Sequence, residues 1–370
     1  MTAMPTFDYT ARQDKARAIS GVDAVALVPG KALYYFTGLD FHLSERPTIV
    51  ILLPDGRTGV ITPELEMPRL VARPDLELEP FAWNDTDGYA AAFQQALDAL
   101  GLRGKTLGVD GLTMRVTEWL AFQSADNQLR VKGVEADLAR IRSIKSVEEI
   151  ALMRDACQRS ERALAATLPQ VRPGMTERQI ADILNAEVHA AGCTGLAFEA
   201  LIQTGPNSAM PHGEVTDRAL GADELLLIDF GGSMHYYPAD ITRTFCLGKP
   251  TAEMQKLYAI VKAANEAGIA AAGPGVAMGA VDKATRDVIE AAGYGQYFIH
   301  RTGHGLGMEG HELTPQIASG VTDLLEPGMA FTVEPGIYLP GLGGVRIEDN
   351  LVVTETGVEV LTSFPKHLTG

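Results

Sequence analysis

Four acidic residues fall where a folded chain can least accommodate them. The segment 225–245, LLLIDFGGSMHYYPADITRTF, is an apolar run that ends in Asp229 and meets a second acid, Asp240. Read as a hairpin turning at Met234–His235, it sets Asp229 opposite Asp240. The segment 331–353, FTVEPGIYLPGLGGVRIEDNLVV, repeats the problem, because folding about Gly341 sets Glu334 opposite Glu348. Directly opposed side chains on paired strands stand about 5 Å apart, and like charges that close repel more strongly once buried. Either one acid of a pair is protonated or a cation lies between the two. One such hairpin could be accidental; two point to a shared cation site. Between them, HRTGHGLGMEGHE at 300–312 brings His300, His304 and His311 into a glycine-rich stretch, and glycine lets backbone approach a site closely.

Four carboxylates with at least one imidazole, and no thiolate at hand, suit Mn²⁺, Co²⁺ or Fe²⁺, with Zn²⁺ also possible. Four negative charges are too many for one divalent ion and match two. Such a pair activates water and polarises a substrate oxygen, which is hydrolytic chemistry.

These residues need elements that hold them. In the second half, RPGMTERQIADILNAEVHAAGC at 172–193 and GPGVAMGAVDKATRDVIEAAGY at 273–294 both open on Pro-Gly and close on Ala-Ala-Gly. Each reads as a helix after a turn, capped by glycine, with an acid-bearing β segment downstream. The repeat predicts two equivalent halves about a pseudo-two-fold axis. Ser146 followed by Glu149 is a capping-box pattern that starts a long amphipathic helix. Residues 1–130 alternate strand and helix, with Asp55-Gly56 as a hairpin turn and Gly101 closing a helix. The boundary falls near 133–143, giving a 1–135 α/β domain and a 140–370 catalytic domain.

The net charge of −16 argues against nucleic acid as a partner, and no apolar run is long enough to cross a bilayer. Three scattered cysteines, Cys157, Cys193 and Cys246, form neither a disulfide framework nor a zinc spacing. With no signal-peptide core at the N-terminus, the expected location is cytoplasmic.

From about Ile144 to Pro365 the chain resembles the pita-bread metallopeptidases, the family of methionine aminopeptidase, aminopeptidase P and prolidase. DITRT, HGLG, VEPGIY and GVRIED, together with the extra N-terminal domain, are most similar to its proline-handling branch. The resemblance implies a creatinase-like α/β N-terminal domain joined to an α+β pita-bread domain. It implies two divalent metal ions, with Asp229 binding one through both oxygens, Asp240 and Glu348 bridging, and His304 and Glu334 completing the shells. It further implies that His311 hydrogen-bonds the scissile carbonyl or oxyanion, that Glu334 accepts a proton, and that His212, in MPHGE, faces the substrate from a loop. Thr242 and Arg346 match supporting or substrate-positioning residues, and His300 and Tyr338 match positions near a proline pocket. Each also has a plainer reading: Arg243 and Arg346 as neutralisers of nearby acids, Tyr338 as core, His212 as surface. His189 and His235 read as exposed. Glu309 and Glu312 are not expected to be ligands, although Glu312 could orient His311.

Two departures stand beside His311. HELTP carries one residue more than the family pattern of His, Glu, one residue, Pro, and Gly310 stands where a branched apolar residue is common. A reshaped pocket wall is expected. The implied activity is a metal-dependent exopeptidase on Xaa-Pro peptides, either aminopeptidase P or prolidase, in a homodimer whose N-terminal aromatic loop at 34–47 narrows access. Other readings are an aminopeptidase without a strict proline requirement, a sulfoniopropionate lyase on the same fold, and a non-catalytic peptide-binding module.

Overall fold

The computed structural model describes residues 6–369. Residues 1–5, part of the N-terminal stretch read above for targeting, and Gly370 lie outside the described residues. The chain divides into two compact units, 6–142 and 143–370.

In the first unit a six-stranded sheet runs in the order Leu78–Trp83, Thr58–Pro63, Ile49–Leu52, Ala24–Leu27, Thr106–Val109, Arg130–Gly133. Its two central pairings are antiparallel and its outer ones parallel. Leu52 pairs with Thr58 across the Asp55-Gly56 turn, where Gly56 takes φ 96°. The helix Ala90–Ala99 ends through Gly101 at φ 68°, as its sequence predicts. Ile49, Ile51, Ile61, Phe93, Leu97 and Phe122 are buried together between helix and sheet.

In the second unit one succession of elements occurs twice. A long helix, Val147–Thr167 or Ala252–Ala271, is followed by a shorter one, Glu177–Ala190 or Met278–Ala291. The Ser146–Glu149 capping box opens the first of these. Pro-Gly turns at Gly174 (φ 92°) and Gly275 (φ 77°) lead into the shorter helices, and Gly192 (φ 84°) and Gly293 (φ 86°) leave them. Each shorter helix buries a carboxylate that pins the strand ahead of the site. Glu177 accepts from Thr204 N–H (2.8 Å) and Oγ1 (3.0 Å), and Asp282 from Thr302 N–H (3.1 Å) and Oγ1 (2.7 Å).

The sheets repeat as well. Strands Ile241–Cys246, Leu225–Phe230 and Leu201–Thr204 form one; Glu312–Ile317, Gly303–Gly305, Ala330–Val333, Asp349–Val353 and Val358–Val360 form the other. The halves meet where Glu348 N–H donates to Thr242 O (3.1 Å) and Thr244 Oγ1 donates to Arg346 O (3.0 Å).

The two acid hairpins differ in how far the sequence foretells them. In the second, Val333 pairs with Asp349 and Gly336 with Arg346, so the register about Gly341 does bring Glu334 and Glu348 level. In the first, the expected turn is wrong. Met234 pairs with Tyr237, and His235 and Tyr236 form the turn with φ 49° and 72°, the two positive angles of a tight two-residue hairpin. Asp229 therefore pairs with Thr242 rather than Asp240, and the two acids are diagonal neighbours. They converge because the strand pair breaks at Gly231, which packs against the Ala239 carbonyl where a Cβ would stand. In both hairpins the acids lie at the interruption between two ladders, where side chains are freed from the strict alternation of a strand.

Candidate metal centre

The centre is assembled from four short stretches. Asp229 is the last residue but one of the strand Leu225–Phe230, whose other residues are buried. Asp240 and Glu348 are almost fully buried, as is His304. One ligand atom each from Asp229, Asp240 and Glu348 lie within 4.8 Å of one another, and so do one each from His304, Glu334 and Glu348. All five residues expected to bind metal are thereby in one cluster. A third such group joins Asp240, His304 and His311.

The electrostatics of the cluster are those of acids short of cations. Burial, then the neighbouring carboxylates, push Asp240 and Glu348 well above the usual carboxylate range. Burial also raises Asp229, against the pull of Arg346. On Glu334 burial acts in the same sense, but the hydrogen bond and charge of His304 overcome it and hold the carboxyl down to about 2. Burial disfavours the His304 imidazolium, yet Glu334 and Asp240 outweigh it and raise the group. His304 Nε2 stands 3.2 Å from Glu334 and 3.6 Å from Asp240.

Two features fit the residues to metal. Oδ1 of Asp229 is buried with no hydrogen-bond partner, a costly state for a carboxylate oxygen and a natural one for a ligand. His304 Nδ1 lies 3.1 Å from Gly305 O. A carbonyl only accepts, so Nδ1 carries the proton and Nε2 is left to coordinate. An all-oxygen set with one imidazole suits hard to borderline divalent ions.

Around the ligands, Arg346 is buried and donates to Asp229 Oδ2 (2.5 Å), Thr242 Oγ1 (3.1 Å) and the Tyr338 hydroxyl (2.9 Å). Thr242 donates in turn to Glu348 Oε2 (2.6 Å). The Tyr338 hydroxyl, its acidity suppressed to about 12 by burial against the effect of Arg346, reaches His300 Nε2 (2.8 Å), whose Nδ1 donates to Arg301 O (2.8 Å). His300 therefore has no free nitrogen. Tyr338 is buried, and His300 and Arg346, its two partners, line the cavity. Arg243 belongs to a structural network, paired with Asp349 at 2.8 Å with both side chains 1% exposed.

The cavity over the centre measures about 1070 Å³, and its walls include His212, His300, Arg301, Gly310 and His311 beside the five expected ligands. His212 is exposed on its loop. The His311 ring stacks on His304 at 3.7 Å between centroids. Burial, then the charge of His304, hold its pKa down to about 4, so it is neutral at pH 7. Glu312 forms a buried ion pair with Lys145 at 2.7 Å. The residues of HELTP are absorbed in a bulge. His304 pairs with Gln316 but Gly305 with Glu312, so the register slips between them. Gly310 and His311 line the cavity, while residues 312–315 are not among its described walls.

This arrangement has known counterparts. The model of metallopeptidase family M24 matches residues 151–355, and that of the creatinase/prolidase N-terminal domain matches residues 12–144. The chain belongs to metallopeptidase family M24. An uncharacterized peptidase of Staphylococcus aureus is 33% identical, over 93% of this chain and 95% of that protein. Among solved structures, a prolidase from Thermococcus sibiricus is similar at TM-score 0.93 and 31% identity, covering 99% of this chain and 100% of the other. The dipeptidase PepE from Mycobacterium ulcerans is similar at TM-score 0.91 and 33% identity, covering 99% of each. The architecture is the pita-bread fold behind a creatinase-type N-terminal domain.

In this M24 peptidase two supporting residues escaped the sequence reading. Asn350, fully buried, accepts from Asp240 N–H at 3.0 Å and donates to Asp240 O at 2.5 Å. It thereby ties the backbone of one acid hairpin to the strand that follows Glu348. Thr332 Oγ1 accepts from His304 N–H (3.1 Å) and donates to Glu334 (3.2 Å). Asn350 directly follows GVRIED, and that adjacency was the only available signal. Thr332 lies two residues before Glu334 on an apolar strand, where a hydroxyl usually bonds its own neighbourhood.

Proposed function

We propose that the protein is a metal-dependent exopeptidase that releases the N-terminal residue from Xaa-Pro peptides. The observation that carries the reading is the convergence of Asp229, Asp240, His304, Glu334 and Glu348 under one cavity, in a chain of the M24 family. The prolidase and dipeptidase similarity supports the substrate class. The five residues would hold two divalent ions, whose chemistry when bound is to activate water and polarise the substrate carbonyl.

The remaining work falls to the chain's own groups. Arg346 and Thr242 fix Asp229 and Glu348 through hydrogen bonds, so the ligand oxygens are held in place before substrate arrives. His311, neutral at pH 7, carries one ring proton. Arg301 Nη2 lies 3.4 Å from its Nδ1. A guanidinium only donates, so that proton sits on Nε2, available to a developing oxyanion. Glu334, ionised throughout the working range, is the candidate to pass a proton to the leaving nitrogen. His212 and the wall formed by His300 enclose the substrate.

The test is activity on Ala-Pro, Ala-Pro-Xaa and Ala-Ala-Xaa after chelation and re-addition of Mn²⁺, Co²⁺ or Zn²⁺. Metal-restored cleavage of the first two, with little of the third, is expected. Equal release from Ala-Ala-Xaa would sink the proline preference, and acrylate from a sulfoniopropionate would sink the peptidase reading. The same proposal places the protein in the cytoplasm as a homodimer. Val116 and Leu120 are exposed four residues apart on the helix Val116–Ala125, so they share one face of it, which supports self-association.

A further inference from the structure

His311 is exposed, and its ring stacks on His304. The stretch that leads to it, 306–310, holds two glycines, and a Cβ at Gly310 would meet nothing within 4 Å. Glycine leaves such backbone many conformations, so the approach from this side does not fix the ring. The hold comes from the other side. Glu312 opens the strand Glu312–Ile317 and is buried. Neighbouring side chains along a strand point to opposite faces: His311 lines the cavity, while the Glu312 carboxyl fills the place where a Cβ on Gly307 would stand. There it meets Lys145 Nζ at 2.7 Å, with the two side chains 5% and 1% exposed. Lys145 is itself fixed. Its N–H donates to Gly328 O (2.9 Å), and Gly328 N–H to Val353 O (2.9 Å). Ile144 bridges to Met329, just ahead of the strand Ala330–Val333 that runs on to Glu334. Lys145 also directly precedes Ser146, the N-cap of the long helix Val147–Thr167.

Taking two charges out of water is costly, and apolar residues of the same volume often serve stability as well or better. We propose that the return on the Lys145–Glu312 pair is geometric: it clamps the backbone behind His311 and so holds that imidazole over the metal centre. Lys145, which is not among the described walls of the cavity, is a positioning residue that acts through Glu312. The clamp refers His311 to the same strand that delivers Glu334, so the two groups keep their separation as the glycine-rich stretch moves. The catalytic consequence rests on the exopeptidase reading; the placement of the ring does not. A displacement of about 1 Å at such a group costs on the order of 100-fold in rate.

The test removes the pair without stranding a charge. Wild type and Lys145→Met/Glu312→Gln are compared, each with and without His311→Ala, as Mn²⁺-loaded proteins on Ala-Pro. The pair change should lower kcat roughly 10- to 100-fold and leave KM and Mn²⁺ stoichiometry little altered. In the His311→Ala background the same change should cost nothing further, because residues that act through one group do not add. A loss of equal size in both backgrounds makes the pair merely structural and overturns the proposal. A second readout needs no turnover. In metal-free protein labelled with ¹³C-histidine, at pH 7, the His311 ring signal is identified by its loss in His311→Ala. It should lie upfield, from stacking on His304, and move towards the position of free histidine in the pair variant. An unmoved signal overturns the proposal whatever the kinetics. If the double variant does not fold, Glu312→Gln alone, which keeps an acceptor for Lys145, carries the same readouts. A wild type that leaves Ala-Pro intact, with a signal that does move, overturns the exopeptidase reading and keeps the clamp.

Discussion

At the scale of single residues, the centre is a set of proton sites that ions must displace. Asp229, Asp240, Glu348 and His304 all bind protons more tightly in the folded metal-free chain than in the unfolded one. For groups raised on folding, stability is fully present below the unfolded pKa, about 4 for the acids and 6.5 for histidine, and is lost as pH rises through the folded value. Glu334, held down to about 2, does not titrate in that window. The chelated protein should therefore lose thermal stability as pH rises above the unfolded values of these groups, and Mn²⁺ should raise Tm more at pH 8 than at pH 5.5. Scanning fluorimetry of the two forms at both values decides it; a metal-induced shift that is larger at the lower pH would refute the proton account. Asn350 makes a second case. Asn350→Ala removes both hydrogen bonds that hold the Asp240 backbone, at about 1–3 kcal/mol for the buried groups left unpaired. Weaker Mn²⁺ binding by calorimetry is expected along with the lower Tm, whereas an unaltered metal affinity would reduce Asn350 to a packing role.

At the scale of elements, close backbone crossings position the acids. A Cβ at Gly231 would collide with the Ala239 carbonyl, whereas one at Gly357 would meet nothing. Gly231→Ala should cost roughly 1–3 kcal/mol and disturb metal stoichiometry, with Gly357→Ala near neutral, as measured by urea unfolding and metal analysis. What could be read from sequence divides along the same line. The turn about Gly341 was legible because LPGLGG supplies turn chemistry at the hairpin's centre, and the register of Glu334 and Glu348 followed. The other turn was not, because His235 and Tyr236 adopt positive φ without a glycine, a choice only the surrounding structure can enforce. The Gly231-Gly232 pair lies before the turn, where both glycines serve close approaches, Gly231 to the Ala239 carbonyl and Gly232 to Cys193. The acids were identifiable despite the wrong register because diagonal as well as opposed positions bring two side chains into one site.

At the scale of the molecule, the duplication was visible in sequence through its Pro-Gly and Ala-Ala-Gly punctuation, since turns and caps constrain residue type. The ties across the repeat were not, because Thr242, Thr244, Arg346 and Asn350 find partners about a hundred residues away and carry no local signature. The proposed dimer has a direct test in light scattering, with a mass near twice 39.6 kDa expected for wild type and a shift towards the single chain for Leu120→Glu. A wild type that stays at one chain mass would remove the dimer.

The proposed ligands divide between the two repeats, Asp229 and Asp240 in one and His304, Glu334 and Glu348 in the other. Neither repeat holds enough oxygen donors to enclose a pair of ions by itself. If an ancestor carried only one repeat, it had to meet its own copy to build this centre, and fusing the two genes made that encounter permanent.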